Sequence, residues 1–175
     1  YLADLQGLLY LGLLFPEFQD SAEWIAFGAA ELQKEMLWEV YDDGADFEAS
    51  SSYHRLCLEL FLGPAILCKA NGVELTGAFW QRLEKMFLAV RALLNPAGRV
   101  PLIGDNDSGR LHRLAVRDDS DLLYLLPIGA ALFNNPSLRL DNVPFSEEAL
   151  FLLGPEGRAA FERLRPDLVL LDVMM

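Results

Sequence analysis

Apolar residues recur at helical spacing along most of the chain, and polar turns separate the apolar runs. The first run, residues 1–15, ends at Pro16, which cannot continue a helix. A second helix is predicted to begin at Asp20, where Glu23 completes a capping-box pattern, and to run to about Tyr41. We expect these two helices to pair as a hairpin.

Two longer helices follow in the same pattern. The third is predicted to start near residue 50 and to end at about Ala70, with a kink or local break at Gly63-Pro64. The fourth is predicted to open at Thr76 and to end at Leu94.

The remaining helices are shorter and lie beyond a long loop, residues 97–117. A fifth helix is predicted to start at residues 118–120 and to run through Phe133, with a proline inside it. Two short helices are predicted at 146–153 and 156–164, because a serine opens the first and Pro155 precedes the second.

No convincing β-alternation is visible before Leu168, so the sequence predicts an all-α fold of antiparallel helical hairpins. Hairpins joined by alternating short and long connections build either a toroid or a solenoid. We assign residues 1–164 to this helical domain. Residues 165–175 form an apolar tail of uncertain status, which resembles the phosphoacceptor strand of bacterial receiver domains over eleven residues; we favour a plain strand or a docked terminal segment.

Composition narrows the classes of function. The apolar share of 53% exceeds the usual value of about 45 to 50%, and both ends of the chain are apolar, so we interpret the chain as a fragment. The net charge of −12 argues against nucleic acid as a partner. The longest apolar runs, 60–68 and 122–133, are shorter than the roughly 20 residues of a membrane span, and none is predicted.

Two cysteines lie eleven residues apart on the predicted third helix. At about 1.5 Å per residue, Cys57 and Cys68 are too distant to form a disulfide with each other. Both are flanked by apolar residues, so we expect buried, inert thiols rather than a nucleophile.

The turn before the third helix carries the most promising chemistry. Tyr53, His54 and Arg55 fall in the first helical turn, with Ser50 or Ser51 as the N-cap. The positive helix end and the two neighbouring cations are expected to lower the pKa of the phenol from about 10 toward a range useful for proton transfer. The alternative is a capped, half-buried helix start without a catalytic role.

A second polar turn, residues 101–110, contains the pattern Asp-x-Asp-x-Gly. Its glycine falls one place early for a calcium loop and no acidic residue stands at the twelfth position, so we favour a turn whose side chains bond their own backbone. We expect Asp105 and Arg110 to face the same side of the helical array as Tyr53. No cofactor is expected in this chain.

Three segments, 13–17, 43–55 and 101–110, resemble in this order the N-terminal helical domain of the heparinase II/III-like polysaccharide lyases. The specific features are Glu-x-Ser-x-x-Tyr-His, ending at His54, and Gly-Asp-x-Asp-x-Gly-Arg, ending at Arg110. The resemblance covers most of the chain. It implies part of an (α/α) toroid, followed in the full protein by an antiparallel β-sandwich.

The resemblance also implies an activity, the cleavage of uronic-acid-containing polysaccharide by β-elimination. The position that matches the family motif makes Tyr53 the acid and, for some substrates, also the base. The residues implied to orient Tyr53 or to line the substrate groove are Glu48, His54, Arg55, Asp105 and Arg110.

The chain departs from the family pattern in one respect. In the family, an Asn-His pair that neutralises the substrate carboxylate lies just upstream of the segment resembling residues 1–4, and the chain does not include this pair. A second catalytic histidine and, in some members, a zinc belong to the β-sandwich. We therefore expect this chain alone to be inactive, with an acidic polysaccharide and the missing β-sandwich of its parent as partners, in the periplasm or secreted. The alternative is a non-catalytic helical module that binds carbohydrate or protein.

Overall fold

A computed structural model describes residues 1–95 and 97–164, which form helices and loops. Within these residues the only β-type pairing is an isolated bridge between Val40 and Asp46, so the all-α prediction is confirmed. No helix of the described part is long and apolar enough to cross a membrane. The α-helices are α1 (Leu2–Leu14), α2 (Ser21–Glu39), α3 (Ser51–Ala70), α4 (Gly77–Leu93), α5 (Leu126–Phe133) and α6 (Glu147–Arg163).

The chain divides into two compact units, and the first, Tyr1–Leu122, holds α1 to α4. In this unit α1 packs closely along α2. A Cβ at Gly12 would stand 2.8 Å from the Ile25 side chain, and one at Gly28 would stand 2.8 Å from Leu9. The two contacts pair residues in opposite chain order, so α1 and α2 form the antiparallel hairpin that the sequence predicts.

Helix α3 is the most deeply buried element of the first unit, and it packs against α1 and α4. It continues through Gly63-Pro64, so the predicted local break is wrong. Proline removes one helical N–H donor, but packing on several sides holds the helix together. The absence of a side chain at Gly63 also makes room for the Tyr10 hydroxyl.

Side-chain caps define the starts of three helices. Ser50, Thr76 and Ser146 each accept the backbone N–H of the residue three positions later, as the sequence predicts. The predicted capping box at Asp20 is wrong, because the Asp20 side chain makes no cap hydrogen bond. The Ser21 hydroxyl instead donates to a carbonyl at the end of α1, at 2.8 Å.

The predicted start of the fifth helix is also wrong. Asp118 Oδ1 accepts the backbone N–H of Ser120 at 2.9 Å, which makes a local turn. Helix α5 begins only at Leu126, after a 3₁₀ turn over Leu123–Leu125, and Pro127 lies in its first turn, where no N–H donor is needed.

The second unit begins at Leu123 and contains α5, a 3₁₀ turn at Pro136–Leu138, and α6. Helix α6 consists of two helical segments joined at Gly154, whose φ of +63° is not helical. This agrees with the two short helices that the sequence predicts on either side of Gly154-Pro155. The predicted tail, 165–175, lies outside the described residues.

Candidate active site

The turn between α2 and α3 is held by its own backbone. The N–H of Phe47 donates to the carbonyl of Glu39 at 2.9 Å, and the N–H of Tyr41 donates to the carbonyl of Ala45 at 2.9 Å. Ala49 then takes a left-handed conformation, with φ of +53°, just before the Ser50 cap. A left-handed non-glycine residue is uncommon, so the surrounding contacts fix the direction in which the chain enters α3.

His54 lies in the interior, between this turn and α4, and is 4% exposed. The N–H of Asp46 donates to its Nδ1 at 3.3 Å, so Nε2 carries the proton and donates to the carbonyl of Met86 at 3.0 Å. Burial lowers the pKa of His54, which favours the neutral ring. The histidine therefore holds the turn and α4 to the start of α3.

Arg55 is fully buried, at 0% exposure. Its guanidinium donates to three backbone carbonyls of the loop that follows α4. The acceptors are the carbonyls of Gly109 at 3.2 Å, Asp119 at 2.5 Å and Asp107 at 3.0 Å. The side chain thus fastens the loop to α3, and it points away from solvent.

Serines at the start of α3 hold the same loop from a second side. The hydroxyls of Ser50 and Ser52 both donate to the carbonyl of Asp105, at 2.6 and 2.7 Å. Ser51 accepts the N–H of Ile103 at its side chain and donates its own N–H to the Ile103 carbonyl, each at 3.0 Å. The three serines Ser50, Ser51 and Ser52 therefore bind the loop, and Ser50 also caps the helix.

Three further contacts complete the loop. The Glu59 carboxylate, 1% exposed, accepts the N–H of Leu111 at 2.5 Å. The Arg110 guanidinium donates to the carbonyl of Ala115 at 3.5 Å, within the loop itself. Asp107 Oδ1 accepts the N–H of Gly109 at 2.7 Å, so the predicted self-bonded turn is confirmed at this residue.

Tyr53 is half-buried, on the side of α3 that meets acidic side chains. The charge of Asp107 raises the pKa of the phenol most, followed by burial and by the charges of Asp105 and Glu48. The predicted lowering of this pKa is therefore wrong. His54 and Arg55 turn into the interior, so the charges that act on the phenol come from acidic groups of the loop and of the preceding turn, where cations were predicted.

The structure thus brings together three of the sequence-predicted residues, Tyr53, Glu48 and Asp105, and adds Asp107. Glu48 is exposed, and its backbone N–H donates to Asp46 Oδ2 at 3.2 Å. Asp107 was not among the predicted site residues. Asp107 is the second aspartate of Asp-x-Asp-x-Gly, so the motif contains it. The sequence interpretation used this motif only to predict the turn.

Cys57 is buried, with the Asp46 carboxyl near its thiol. Burial and the nearby carboxylate charge raise the pKa of this thiol far above its usual value, and burial raises that of Cys68 to about 11. A neutral thiol is a poor nucleophile, so the structure agrees with the prediction of inert thiols.

A small cavity of about 160 Å³ lies on the α4 side of the turn. His54 borders it, and most of the remaining lining is apolar: Ala45, Ala49, Ala89, Leu93 and Ile103. Tyr53 does not line this cavity. Among residues 1–95 and 97–164, no group of three or more His, Cys, Asp or Glu side chains is arranged to hold a metal ion.

Comparison with known proteins identifies a matching family model and two matching relatives. The family model described as Heparinase II/III N-terminus matches residues 1–120. A heparin-sulfate lyase of Pedobacter heparinus is 33% identical over 107 residues, which cover 60% of this chain and 16% of that protein. A heparin-sulfate lyase of Bacteroides stercoris is 35% identical over 89 residues, 50% of this chain and 13% of that protein. The chain therefore spans about a sixth or less of these relatives, and no solved structure matches it.

Proposed function

The chain belongs to the heparinase II/III N-terminal family, and from this premise we propose that it is part of a lyase that cleaves uronic-acid-containing polysaccharide by β-elimination. The two relatives are heparin-sulfate lyases, which supports an acidic polysaccharide as substrate. The observation that carries the proposal is the placement of Tyr53. Its phenol is half-buried beside the acidic groups of Asp107, Asp105 and Glu48, on a helix start fixed by caps and loop contacts.

In β-elimination, a base removes the C5 proton of the uronate. The electron pair left on C5 forms the C4–C5 double bond as the C4–O bond breaks, and an acid must protonate the departing glycosidic oxygen. A phenol with the ordinary pKa of about 10 is protonated near neutral pH, and the charge of Asp107, burial and the charges of Asp105 and Glu48 raise the pKa of Tyr53 further. A protonated phenol suits the acid role.

The base role makes a different demand on Tyr53. The hydroxyl would first have to lose its proton, and the negative charges of Asp107, Asp105 and Glu48 oppose the phenolate. We therefore assign Tyr53 to the proton-donating step. A base role would need an additional cation at the phenol when substrate is bound.

The remaining predicted site residues fall into two groups. Glu48 and Asp105 adjoin Tyr53, and we propose that they line the substrate groove together with Arg110. His54 and Arg55 are buried, and we propose that they support Tyr53 without touching substrate.

Neutralisation of the substrate carboxylate needs a cation or a strong hydrogen-bond donor, whereas the charges acting on Tyr53 are all negative. We propose that an Asn-His pair and a β-sandwich elsewhere in the parent protein supply the missing groups, as the family resemblance implies. On this proposal the chain alone is inactive. An acidic extracellular polymer as substrate places the parent in the periplasm or outside the cell.

The test is a lyase assay of the full-length parent protein with heparan sulfate and other uronate polymers, following the absorbance of the unsaturated uronate. Tyr53→Phe removes the proton donor, and we expect turnover to fall by roughly 100-fold or more. Tyr41→Phe is the matched control, because Tyr41 is exposed on the preceding turn and is expected to keep wild-type turnover. Wild-type turnover in Tyr53→Phe would remove Tyr53 from the mechanism.

A further inference from the structure

Basic side chains are gathered in one segment of the loop that follows α4. In a chain with a net charge of −12, residues 110–117 include no acidic residue and four basic ones: Arg110, His112, Arg113 and Arg117. Nη1 of Arg117 lies 3.4 Å from Oδ2 of Asp121, so this cation is already paired. The segment is therefore a local positive patch in an acidic protein.

Arg113 is the cation of this patch that is open to solvent. It is exposed, its Nη2 donates to the carbonyl of Ser108 at 3.1 Å, and no carboxylate of the described residues forms an ion pair with it. Two exposed apolar side chains, Leu114 and Val116, follow it in the chain. Arg113 therefore offers guanidinium donors beside an apolar edge, which suits a sugar ring that carries an acidic group.

His112 lies over α3 at Gly63. A Cβ at Gly63 would stand 3.3 Å from Cε1 of His112, and it would also meet the Tyr10 hydroxyl. The imidazole of the loop and the phenol of α1 therefore share one notch, which exists because Gly63 has no side chain. His112 and Tyr10 are both half-buried, so part of each remains open to a ligand.

The loop runs beside α3 and carries the patch away from Tyr53. The contacts advance in the same direction along both segments: the Asp105 carbonyl at Ser50 and Ser52, the Gly109 carbonyl at Arg55, the Leu111 N–H at Glu59, and His112 at Gly63. Ten residues of α3 separate Tyr53 from Gly63, so at about 1.5 Å per residue the notch lies about 15 Å along the helix from Tyr53. A chain of several sugar units spans such a distance.

Two carboxylates of this region hold the loop backbone. Glu59, which is 1% exposed, accepts the N–H of Leu111 at 2.5 Å. Asp107 Oδ1 accepts the N–H of Gly109 at 2.7 Å, at the end of the loop nearer Ser50. Glu59 lies below the surface, so the exposed charge at the far end of the loop comes from Arg113.

We propose that Arg113 and His112, with the Tyr10 hydroxyl, form a distal subsite that binds a carboxylate or sulfate group on a sugar several units from the cleaved bond. The identity of the ligand as a polysaccharide rests on the proposed function. A planar guanidinium binds either anion through two parallel hydrogen bonds. The imidazole and the phenol provide further hydrogen-bonding groups for the same sugar.

The experiment measures the Kd of heparan sulfate oligosaccharides by calorimetry, with the full-length parent protein carrying Tyr53→Phe so that the ligand stays intact. Arg113→Gln should raise the Kd of an octasaccharide about 3- to 5-fold, as expected for one exposed charge contact. A disaccharide is too short to span the distance of about 15 Å from Tyr53, so its Kd should not change. The octasaccharide effect should shrink in 1 M salt, where the Debye length is only about 3 Å.

Two further variants sharpen the test. Lys69→Gln is the matched control, because Lys69 is an exposed cation in the last turn of α3, outside the patch, and it should leave both Kd values unchanged. His112→Gln should raise the octasaccharide Kd about 2- to 3-fold through the loss of one hydrogen-bonding group. An octasaccharide from which the sulfates have been removed identifies the anion: an effect of Arg113→Gln that persists assigns a carboxylate, and one that disappears assigns a sulfate.

The outcomes separate the subsite from its alternatives. An unchanged octasaccharide Kd in Arg113→Gln would overturn the inference, and so would an equal loss for the disaccharide or in Lys69→Gln. A length-dependent loss in a parent protein whose wild type has no lyase activity would uphold the subsite and reject the proposed function. In an active enzyme, Arg113→Gln should raise KM for the octasaccharide and leave kcat unchanged, because the distal contact is the same in the ground state and the transition state. Lyase activity with an unchanged KM would uphold the proposed function and reject the subsite.

Discussion

Gly104 approaches the Ser50 cap so closely that a side chain at this position would crowd it. A Cβ built on Gly104 stands 3.1 Å from the Cβ of Ser50 and 3.2 Å from the carbonyl oxygen of Ala49. The backbone of Gly104 also has a φ of +68°, which residues with a side chain rarely adopt. The glycine that opens Gly-Asp-x-Asp-x-Gly therefore lets the loop lie against the start of α3.

We expect Gly104→Ala to lower the free energy of unfolding by about 2 to 3 kcal/mol, since it combines backbone strain with the contact at Ser50. Gly72→Ala is the matched control. Gly72 has a φ of +73°, but nothing lies within 4 Å of an added Cβ, so only the strain of about 1 kcal/mol is expected. Urea denaturation measures both, and equal losses would show that the Ser50 contact contributes nothing.

Replacement of His54 should change stability in a pH-dependent way. Burial lowers the pKa of His54 below its ordinary 6.5, so the unfolded chain binds the proton more readily than the folded chain does. Its contribution to stability is therefore present above pH 6.5 and is lost as the pH falls toward the folded pKa. His54→Leu should cost about 2 to 4 kcal/mol at pH 7.5, because the Met86 carbonyl and the Asp46 N–H lose their partner.

The free energy of unfolding of wild type falls as the pH drops below 6.5, in part because His54 becomes protonated on unfolding. His54→Leu should lack this part of the fall. Urea denaturation at several values between pH 5 and 7.5 gives this slope for wild type and variant. A slope that His54→Leu leaves unchanged would mean that His54 does not resist protonation in the fold.

Glu39 should act in the opposite direction. Burial first, and then the Glu35 side chain and the Asp46 charge, raise the pKa of Glu39 from 4.5 to about 7. The folded state then binds the proton more readily than the unfolded state, so stability falls as the pH rises from 4.5 to about 7. Glu39→Gln should raise the free energy of unfolding at pH 8 by about 1 kcal/mol, after allowance for solvent screening at this partly exposed group.

The control for this effect is Glu17→Gln in the exposed turn between α1 and α2. It should leave the free energy of unfolding at pH 8 within about 0.5 kcal/mol of wild type. If Glu39→Gln destabilises the protein at pH 8, the carboxylate is favourably held and the predicted sign is wrong.

In the second unit, Arg139 should stabilise the end of α6. Its guanidinium donates to the carbonyl of Phe161 at 2.7 Å and to that of Leu164, and it lies 4.7 Å from the centre of the Phe161 ring. Arg139→Ala should reduce the protection of α6 amides from hydrogen exchange by about 2 kcal/mol. Arg158→Ala removes only an exposed pair with Glu162 and should cost less than about 0.5 kcal/mol. Similar losses in the two variants would contradict this role of Arg139.

Local chemistry explains which parts of the fold the sequence predicted well. Thr76 and Ser146 cap helices through their own first turns, and Asn134, with a φ of +51°, ends α5 as predicted. Each of these signals acts between residues that are neighbours in the chain. The predicted break at Gly63-Pro64 failed because the decisive forces there come from helices packed around α3.

The candidate site divides in the same way. The charges of Glu48 and Asp105 act on the Tyr53 phenol, but the motifs suggested the wrong electrostatics, and the roles of these residues in a site stay predictions. Consecutive helix residues point about 100° apart, so adjacency in the chain did not make His54 or Arg55 an electrostatic partner of the phenol. The larger scheme of an (α/α) toroid stays a prediction.

The sequence by itself determined the all-α class, most helix ends, the cap at Ser50 and the identity of the candidate phenol, because hydrophobic period and capping act over a few residues. Only the tertiary structure decided that Arg55 holds a loop and that the charge of Asp107 acts on Tyr53. Asp107 follows Arg55 by 52 residues, and no local rule connects them. They meet because the folded helices leave room for the loop there. The position of the loop in turn sets the charge around the site.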